Sequence, residues 1–423
     1  MRQSRTLATA LIALVSVLSV AAVPAWCQPA AQPGSQPPAV SASAAVLMDA
    51  ATGTVLCDKS MHQRRAMAST TKIMTALVAL ESANLKDTVV VGEDAMKVES
   101  PGFDFTLGER LVLDDLLTAL MLKSSNAAAI AIADHVAGSV PAFAEKMNQR
   151  AHSLGLDDTH FVNPHGLSAP DHYSSAYDLA VITCEAMGFG RFRALVSEKT
   201  AEIERPDLNA KETIANHNKL LWRADYVDGV KTGWVRDSGH CLVASGTRNG
   251  WQLIAVVLDS PDAYRDALAL LDYGFATYRL QVLAQQGDAV GRARVWFGNP
   301  GSVPAVSQQM LAQVTGPGLP SAGKLQVTTK RLTAPVAQGR VVGEAQVLVD
   351  GKPVAASQLV AGEKVRRSPL VVGAEWALRA VGLLLVAAVG IRTGAKLVKV
   401  RRRRRRSFSP QGNGVDTGGP RPG

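Results

Sequence analysis

The protein is 423 residues long and 47% of its residues are hydrophobic, which suffices for two or three packed domains and excludes a wholly disordered chain. Its formal net charge is +9. That excess matches one lysine- and arginine-rich run, from Arg392 to Arg406, which contains no acidic residue. A nucleic-acid-binding domain would spread basic residues over a folded face, so no nucleic-acid partner is indicated.

Residues 1–25 have the pattern of a secretory signal peptide. Two arginines precede an apolar stretch from Leu7 to Val23, and Val23-Pro24-Ala25 provides the small residues of a cleavage site. An uncleaved anchor helix is the alternative, and in both interpretations the part of the chain that follows is exported. Residues 26–43 are rich in proline, alanine, glutamine and serine, and we expect them to form an exported linker.

The next part of the chain mixes strand and helix patterns. A strand from Ala44 to Asp49 is predicted to open a hairpin, and apolar residues at helical spacing follow in 73–80 and 116–136. Between Val230 and Leu258 the chain has three strand-like runs, the last two joined by an asparagine–glycine turn. This order predicts an α+β domain over residues 44–280, whose sheet joins its first and last segments.

From about residue 285 the helical periodicity is absent and short strand patterns replace it. Gln346–Val349 is one such pattern, and Asp350-Gly351 after it is a hairpin-turn sequence. These features predict a small all-β domain over residues 285–365.

Residues 370–391 form an apolar segment that is long enough to span a bilayer. The segment contains Glu375 and Arg379, whose spacing would let them pair on one helix face. An amphipathic helix lying on the membrane surface is the alternative. The basic run directly afterwards favours a true span with residues 392–423 in the cytoplasm, because clustered lysine and arginine resist translocation.

Three short motifs occur in order along the chain: Ser69-Thr70-Thr71-Lys72, Ser124-Ser125-Asn126 and Lys231-Thr232-Gly233. Each motif alone is weak, since Ser321-Ala322-Gly323-Lys324 and Ser82-Ala83-Asn84 repeat two of the forms elsewhere. The sequence context of these two additional copies predicts a turn and the end of a helix, respectively.

The first motif suggests an activated nucleophile. Ser69 stands at the start of an apolar helix, and Lys72 follows one turn later on the same face. A serine hydroxyl is a poor nucleophile unless a base takes its proton. A lysine can be that base only when it is neutral, and burial or a nearby second cation lowers its pKa in that direction.

The other two motifs allow a functional and a structural interpretation. Ser124 to Asn126 interrupts an apolar helical run, either as a helix cap or as a site where Ser124 relays a proton and Asn126 holds a substrate amide. In the third motif Lys231 and Gly233 share one strand face beside Trp234, where glycine would let a substrate backbone approach. The alternative is an ordinary strand with one exposed lysine.

Together the three motifs resemble those of the serine penicillin-binding and β-lactamase superfamily. Asn163-Pro164-His165-Gly166-Leu167, His172-Tyr173-Ser174-Ser175-Ala176 and Leu270-Leu271-Asp272-Tyr273-Gly274-Phe275 resemble the D-alanyl-D-alanine carboxypeptidases, the low-molecular-mass penicillin-binding proteins. The resemblance covers about residues 44–365. It implies a penicillin-binding/β-lactamase-like catalytic domain, with an antiparallel sheet flanked by helices, followed by a small β domain.

This resemblance implies a role for each matched residue. Ser69 would attack the carbonyl of the penultimate D-alanine and Lys72 would accept its proton. Ser124 and Lys231 would pass a proton to the leaving D-alanine. The backbone N–H groups of Ser69 and Trp234 would form the oxyanion hole, in which one donor is typically worth about 10²–10³ in rate. The implied partners are peptidoglycan stem peptides ending in D-Ala-D-Ala, β-lactam antibiotics and the bacterial cell membrane, with the catalytic domain outside it.

One position departs from the family pattern. Members often carry an arginine that binds the substrate's terminal carboxylate, and Ala263 stands at the aligned place. Arg265, two positions later, is a candidate replacement, and Thr232 with Lys231 is the alternative. His165 and His172 are expected to organise the loop under the site rather than to act as bases.

Three other functions are less well supported by the sequence. A class A β-lactamase needs an E-x-x-L-N loop, and the segment Glu204–Asn209 has one residue too many. A non-catalytic cell-wall scaffold, recruiting partners through the arginine tail, would not need the intact Ser69, Lys72 and Lys231. A zinc peptidase needs clustered ligands including H-x-H, and the sequence contains neither H-x-H nor C-x-x-C, so no metal or other cofactor is predicted.

Overall fold

The computed structural model of the protein describes residues 36–100 and 102–406. The predicted signal peptide and the first part of the predicted linker lie outside the described residues, as does the chain after Arg406. The chain divides into two compact units, one ending at Arg279 and the other beginning at Leu280, with Gly316–Leu319 belonging to the first.

The first unit is built on an antiparallel sheet. Its strands are β1 (Ala44–Asp49), β2 (Val55–Lys59), β3 (Thr88–Val90), β4 (Arg110–Val112), β5 (Thr200–Arg205), β6 (Ala210–Ala215), β7 (Val227–Val235), β8 (Gly239–Arg248) and β9 (Trp251–Leu258). Five of them form one sheet in the order β2-β1-β9-β8-β7, while β3–β4 and β5–β6 are separate pairs. Strand β1 pairs with β9 along its whole length. The first strand therefore joins the last, and the predicted α+β fold class is confirmed.

Helices complete this unit. They are α1 (Lys72–Ser82), α2 (Glu93–Lys97), α3 (Leu113–Leu122), α4 (Asn126–Ala137), α5 (Val140–Ser153), α6 (Ala176–Met187), α7 (Gly190–Ser197) and α8 (Ala263–Thr277). Helix α1 is central, because Ile73, Met74 and Leu77 are buried and it contacts α3, α4, α5 and α6. The apolar run predicted to be interrupted at the second motif is divided there into α3 and α4.

The second unit is a β structure, as predicted. Its strands are β10 (Arg279–Ala284, whose first residue ends the first unit), β11 (Ala289–Trp296), β12 (Gly298–Asn299), β13 (Ser302–Ser307), β14 (Leu311–Thr315), β15 (Lys324–Thr329), β16 (Leu332–Thr333), β17 (Val341–Val349), β18 (Lys352–Ala361) and β19 (Arg366–Arg367). A six-stranded sheet has the order β15-β17-β18-β13-β11-β16. Val295, Val303 and Val347 lie in its small core. The predicted turn at Asp350-Gly351 joins β17 to β18.

The chain then forms one long helix, α9 (Pro369–Arg406). At about 1.5 Å per residue it is roughly 57 Å long, and by length and composition it can cross a membrane. The predicted pairing of Glu375 with Arg379 is wrong. Glu375 instead pairs with Arg367 of β19 at 3.3 Å, and the guanidinium of Arg379 lies 5.7 Å from the ring centroid of Trp376. The sequence spacing within one helix could not indicate a partner on a neighbouring strand.

Candidate active site

Ser69 lies in a short 3-10 helix, Ala68–Thr71, that leads directly into α1. Two glycines allow neighbouring segments to pack against it. A Cβ on Gly166 would lie 1.9 Å from the carbonyl oxygen of Ala68, and one on Gly233 would lie 3.0 Å from the backbone nitrogen of Ser69. The loop after α5 and the strand β7 are thus held against the serine from two directions.

Lys72 is fully buried, and its Nζ makes three close contacts. It lies 3.0 Å from Ser69 Oγ, 2.7 Å from Asn126 Oδ1 and 2.6 Å from the carbonyl oxygen of His165. None of these partners is a carboxylate. Burial first, and the positive charge of Lys231 second, hold the pKa of Lys72 well below its usual value. The amine is therefore biased toward its neutral form within hydrogen-bond reach of the serine hydroxyl.

Lys231 is the second buried amine of the site, in the middle of β7. Only 1% of it is exposed, and its Nζ donates to the carbonyl oxygen of Thr232 at 3.0 Å. Burial lowers the pKa of Lys231 to about 7. This lysine can therefore gain or lose a proton near neutral pH. The interpretation of β7 as an ordinary strand with an exposed lysine is wrong, because the lysine faces the interior.

The second motif caps a helix, as one of its two interpretations predicts, and it also contacts Lys72. Ser125 caps α4, its Oγ accepting a hydrogen bond from Ala128 N at 3.1 Å. Ser124 before it has a positive φ of 61°, in the left-handed region that non-glycine residues rarely adopt. Asn126, the first residue of α4, accepts from Lys72 and donates through Nδ2 to the carbonyl oxygen of Glu99 at 2.6 Å. Its side chain thus positions the buried lysine.

A cleft of about 710 Å³ opens at these residues. The predicted site residues in its lining are Ser69, Ser124, Asn126, Thr232, Gly233 and Trp234. Lys72 and Lys231 are not in the lining because they are buried, but both belong to the segments that form it. The ring of Trp234 is 61% exposed and stands on the cleft wall. The structure therefore brings all three motifs together around one concave site.

Comparison with known proteins agrees with this geometry. Residues 31–262 match the family model described as D-alanyl-D-alanine carboxypeptidase, and residues 278–367 match the C-terminal domain of penicillin-binding protein 5. The chain belongs to the D-alanyl-D-alanine carboxypeptidase family. It is accordingly a penicillin-binding serine hydrolase that acts on the D-Ala-D-Ala bond.

Individual relatives cover most of both chains. The carboxypeptidase DacD of Escherichia coli is 36% identical over 78% of this chain and 88% of its own length, and DacA of Haemophilus influenzae is 34% identical over 77% and 86%. The solved structure of penicillin binding protein 5 from Haemophilus influenzae covers 79% of this chain with a TM-score of 0.62 at 32% identity. The Streptomyces K15 DD-transpeptidase covers 57% with a TM-score of 0.54 at 33% identity.

The structure does not bring Arg265 to the carboxypeptidase cleft. Arg265 lies in the first turn of α8 with its guanidinium exposed, 3.9 Å from Asp262 and 3.7 Å from Asp266. Ala263 lies in the cleft lining. A helix turns about 100° per residue, so the side chain of Arg265, two positions after Ala263, leaves the helix on nearly the opposite side. The position of Arg265 therefore gives no support to it as the replacement for the family's arginine.

The reason for Gly233 also differs from the prediction. The side of Gly233 where a Cβ would stand is already filled by Ala68 and the backbone of Ser69. The glycine is thus required for the packing of β7 against the nucleophile segment, rather than only for the approach of a substrate. This contact could not be inferred from strand alternation, because it depends on where the 3-10 helix lies.

The two histidines of the family signature organise the loop under the site, as predicted. Nδ1 of His172 accepts from Val162 N at 3.1 Å, and Nδ1 of His165 accepts from Leu167 N at 3.2 Å. Burial lowers the pKa of His172 to about 4 and that of His165 to about 3, so both rings are neutral at physiological pH. The carbonyl oxygen of His165 itself accepts the hydrogen bond from Lys72.

Sequence reasoning missed four basic residues that line the cleft: Lys123, His217, Arg236 and His240. Lys123 adjoins the second motif and Arg236 follows the third, so nearness to these motifs in the sequence could have indicated that both lie at the site. His240 lies opposite Trp234 in the β7–β8 register, which only the strand pairing reveals. Burial first, then Lys123 and Lys231, lower the pKa of His217.

The rival sites lie elsewhere. In the loop resembling E-x-x-L-N, Glu204 is at the end of the β5–β6 pair and binds Lys211 at 2.7 Å, outside the cleft lining. The described residues contain one convergent group with donor atoms for a metal, His62, Asp158 and Asp178. None of the three residues lines the cleft, and Arg64 forms an ion pair with Asp158 at 3.1 Å, so the group is explained as an ion-pair network.

Proposed function

We propose that this enzyme removes the terminal D-alanine of peptidoglycan stem peptides through an acyl-enzyme on Ser69, with Lys72 as the base. One observation carries the proposal. The Nζ of a fully buried lysine, with a lowered pKa, lies 3.0 Å from the hydroxyl oxygen of a serine on the floor of the cleft. That is the contact required for a serine whose proton must leave as it attacks.

The acylation step uses the two segments that Gly233 brings together. Ser69 Oγ attacks the carbonyl carbon of the penultimate D-alanine while its proton passes to Lys72 Nζ. The backbone N–H groups of Ser69 and Trp234 stabilise the oxyanion, and the tight packing of β7 against Ser69, where a Cβ on Gly233 would lie 3.0 Å from the Ser69 nitrogen, supports their convergence. Collapse of this intermediate breaks the bond to the terminal D-alanine nitrogen and leaves an ester on Ser69.

The leaving D-alanine takes a proton supplied through Ser124 and Lys231. Lys231, with a pKa of about 7, can hold that proton at neutral pH and release it during the reaction. Water then hydrolyses the ester and frees Ser69. The same serine would be acylated by β-lactams, which accounts for penicillin binding.

The terminal carboxylate of the substrate is bound without Arg265 in this proposal. Thr232 lines the cleft next to the buried Lys231, and the two would provide a hydroxyl and, when the lysine is protonated, a positive charge beside the cleft. The exposed guanidinium of Arg265 is already engaged by two aspartates. Thr232 and Lys231 are therefore the proposed carboxylate-binding pair.

We further propose that residues 1–25 direct export, that residues 370–391 within α9 span the bacterial membrane, and that the basic tail lies in the cytoplasm. Apolar side chains of α9 such as Leu383, which is 72% exposed, are not buried against protein in the described structure, and a lipid environment would cover them. The clustered positive charge after the span favours the cytoplasmic side. This topology places the catalytic unit where peptidoglycan is assembled and cell shape is set.

The direct test uses the purified full chain in detergent with a synthetic peptide ending in D-Ala-D-Ala. We expect free D-alanine to accumulate, and Ser69→Ala to reduce the rate to background. Penicillin added beforehand should abolish the release. Release of D-alanine by Ser69→Ala at the wild-type rate would contradict the proposed nucleophile, and absence of release by the wild type would contradict the proposed reaction.

A further inference from the structure

An exposed aromatic and basic edge of the β unit lies directly beside the start of α9. We define this helix-proximal edge as Arg294, Trp296, Phe297 and Arg366. Trp296 is 48% exposed and Phe297 is 56% exposed, which is unusual for two consecutive aromatic side chains. The two arginines are exposed as well.

Backbone hydrogen bonds fix the distance of this edge from the helix. Ser368 N donates to the carbonyl oxygen of Phe297 at 2.8 Å, and α9 begins at the next residue. In addition, β12 pairs with β19, with Gly298 opposite Arg367. Arg367 also pairs with Glu375 inside the helix at 3.3 Å. Wherever the first turn of α9 enters a membrane, Phe297 must therefore be at the membrane surface.

Phe297 also has an unfavourable backbone conformation. Its φ is +59°, in the left-handed region that bulky residues rarely adopt. A glycine or asparagine would fit this turn better. Because more than half of the residue is exposed, packing within the unit does not explain why an aromatic residue stands there. Residues held in sparsely populated backbone conformations cluster at functional sites.

The charges beside the aromatic residues suit a phospholipid partner. The guanidinium of Arg294 lies 5.4 Å from the ring centroid of Trp296, and Arg366 extends the basic character from the adjacent strand β19. Alternation along β11 exposes Arg294 and Trp296 together, while Ala293 and Val295 face the core. Aromatic rings flanked by basic side chains are the composition found where proteins meet lipid headgroups.

We propose that the helix-proximal edge lies on the extracytoplasmic surface of the membrane that α9 spans, with Trp296 and Phe297 among the phospholipid headgroups and the arginines against lipid phosphates. This inference rests on the proposal that α9 enters the membrane just after Pro369. The β unit is then docked on the bilayer as well as tethered to it.

Photocrosslinking in lipid nanodiscs tests the contact. Benzoylphenylalanine is introduced into the full chain in place of Phe297, Leu384 or Val354, and each variant is embedded in phosphatidylglycerol and phosphatidylethanolamine. Leu384, in the apolar part of α9, reports membrane insertion. Val354 is the matched control, because it is 54% exposed but lies near the turn end of β18, roughly 23 Å of strand from Ala361. Penicillin labelling of each variant verifies folding.

We expect lipid adducts at positions 384 and 297, with about tenfold more adduct at 297 than at 354, since only a probe among headgroups is continuously in contact with lipid. Labelling at 384 with no excess at 297 over 354 would overturn the inference and leave the membrane span intact. Absence of lipid adducts at 384 would overturn both. Crosslinking of position 297 to a second protein chain instead of lipid would show that the edge is a protein interface and would also overturn the inference.

Discussion

Replacing Lys231 with methionine should stabilise the protein while it abolishes activity. The lysine is 1% exposed, and burial lowers its pKa from 10.5 to about 7. At about 1.4 kcal/mol per unit, this shift of roughly 3.5 units corresponds to about 5 kcal/mol of unfavourable burial. Loss of the hydrogen bond to the carbonyl of Thr232 offsets part of it. We expect Lys231→Met to raise the free energy of unfolding at pH 7 by about 2–4 kcal/mol.

The same lysine determines the sign of a pH dependence. Its pKa in the folded state is below that in the unfolded state, so between about pH 7 and 10.5 the unfolded chain binds more protons. The stability of the wild type should therefore rise with pH in this window, by at most about 1.4 kcal/mol per pH unit from Lys231. Lys72, with a lowered pKa as well, adds a contribution of the same sign that remains in the variant.

Urea unfolding of the full chain, followed by tryptophan fluorescence at pH 7, 8 and 9, measures both effects. Lys199→Met, at an exposed position of the same unit, is the control and should change neither the stability nor its slope with pH. A Lys231→Met variant that is less stable than the wild type at pH 7 would refute the assignment of Lys231 as a buried amine that destabilises the fold. A variant whose stability keeps the wild-type slope with pH would refute it as well.

Three other predictions address the base, the carboxylate and the topology. Lys72→Arg should reduce the rate of penicillin acylation by at least about 10⁴, because a guanidinium does not release its proton near neutral pH. Fluorescent penicillin labelling measures this rate, and Lys72→Gln controls for side-chain bulk. A labelling rate within tenfold of the wild type would reject Lys72 as the base. Arg265→Ala should leave KM for a D-Ala-D-Ala peptide within about twofold of the wild-type value, since loss of exposed ion pairs costs little. Thr232→Val should raise this KM. A large increase of KM in Arg265→Ala would restore Arg265 to the site. Protease added to wall-stripped cells should digest the catalytic unit and spare a C-terminal epitope tag, and digestion of the tag would favour a surface-lying helix.

Much of the fold could be predicted because its signals are local. The apolar runs of β1 and β7–β9 and the helical spacing in α1 depend only on neighbouring residues. The order of these elements along the chain indicates a sheet that pairs the first strand of the domain with the last. The three motifs could be assigned to one site because each has a distinctive local context. The first begins a helix, the second interrupts an apolar helical run, and the third lies in a strand.

The errors concern contacts between elements that are distant in sequence. The pairing of Glu375 with Arg367 requires β19 to lie beside α9, and the packing of Gly233 against Ser69 requires the position of a 3-10 helix. The prediction for Arg265 rests on its distance along the chain from Ala263, whereas the direction of a helical side chain changes by about 100° at each residue. His217 and His240 reach the cleft only through tertiary structure.

The central claim is that Ser69 is the nucleophile, and the most direct measurement is the mass of the penicillin-treated peptide that contains it. Trypsin cleavage after Arg65 and Lys72 yields the peptide Ala66–Lys72, in which Ser69 is the only serine. We expect a penicilloyl adduct on this peptide, fragment ions that place it at Ser69, and its loss in Ser69→Ala. An adduct on another peptide, or one that persists in Ser69→Ala, would contradict the assignment of Ser69 as the nucleophile.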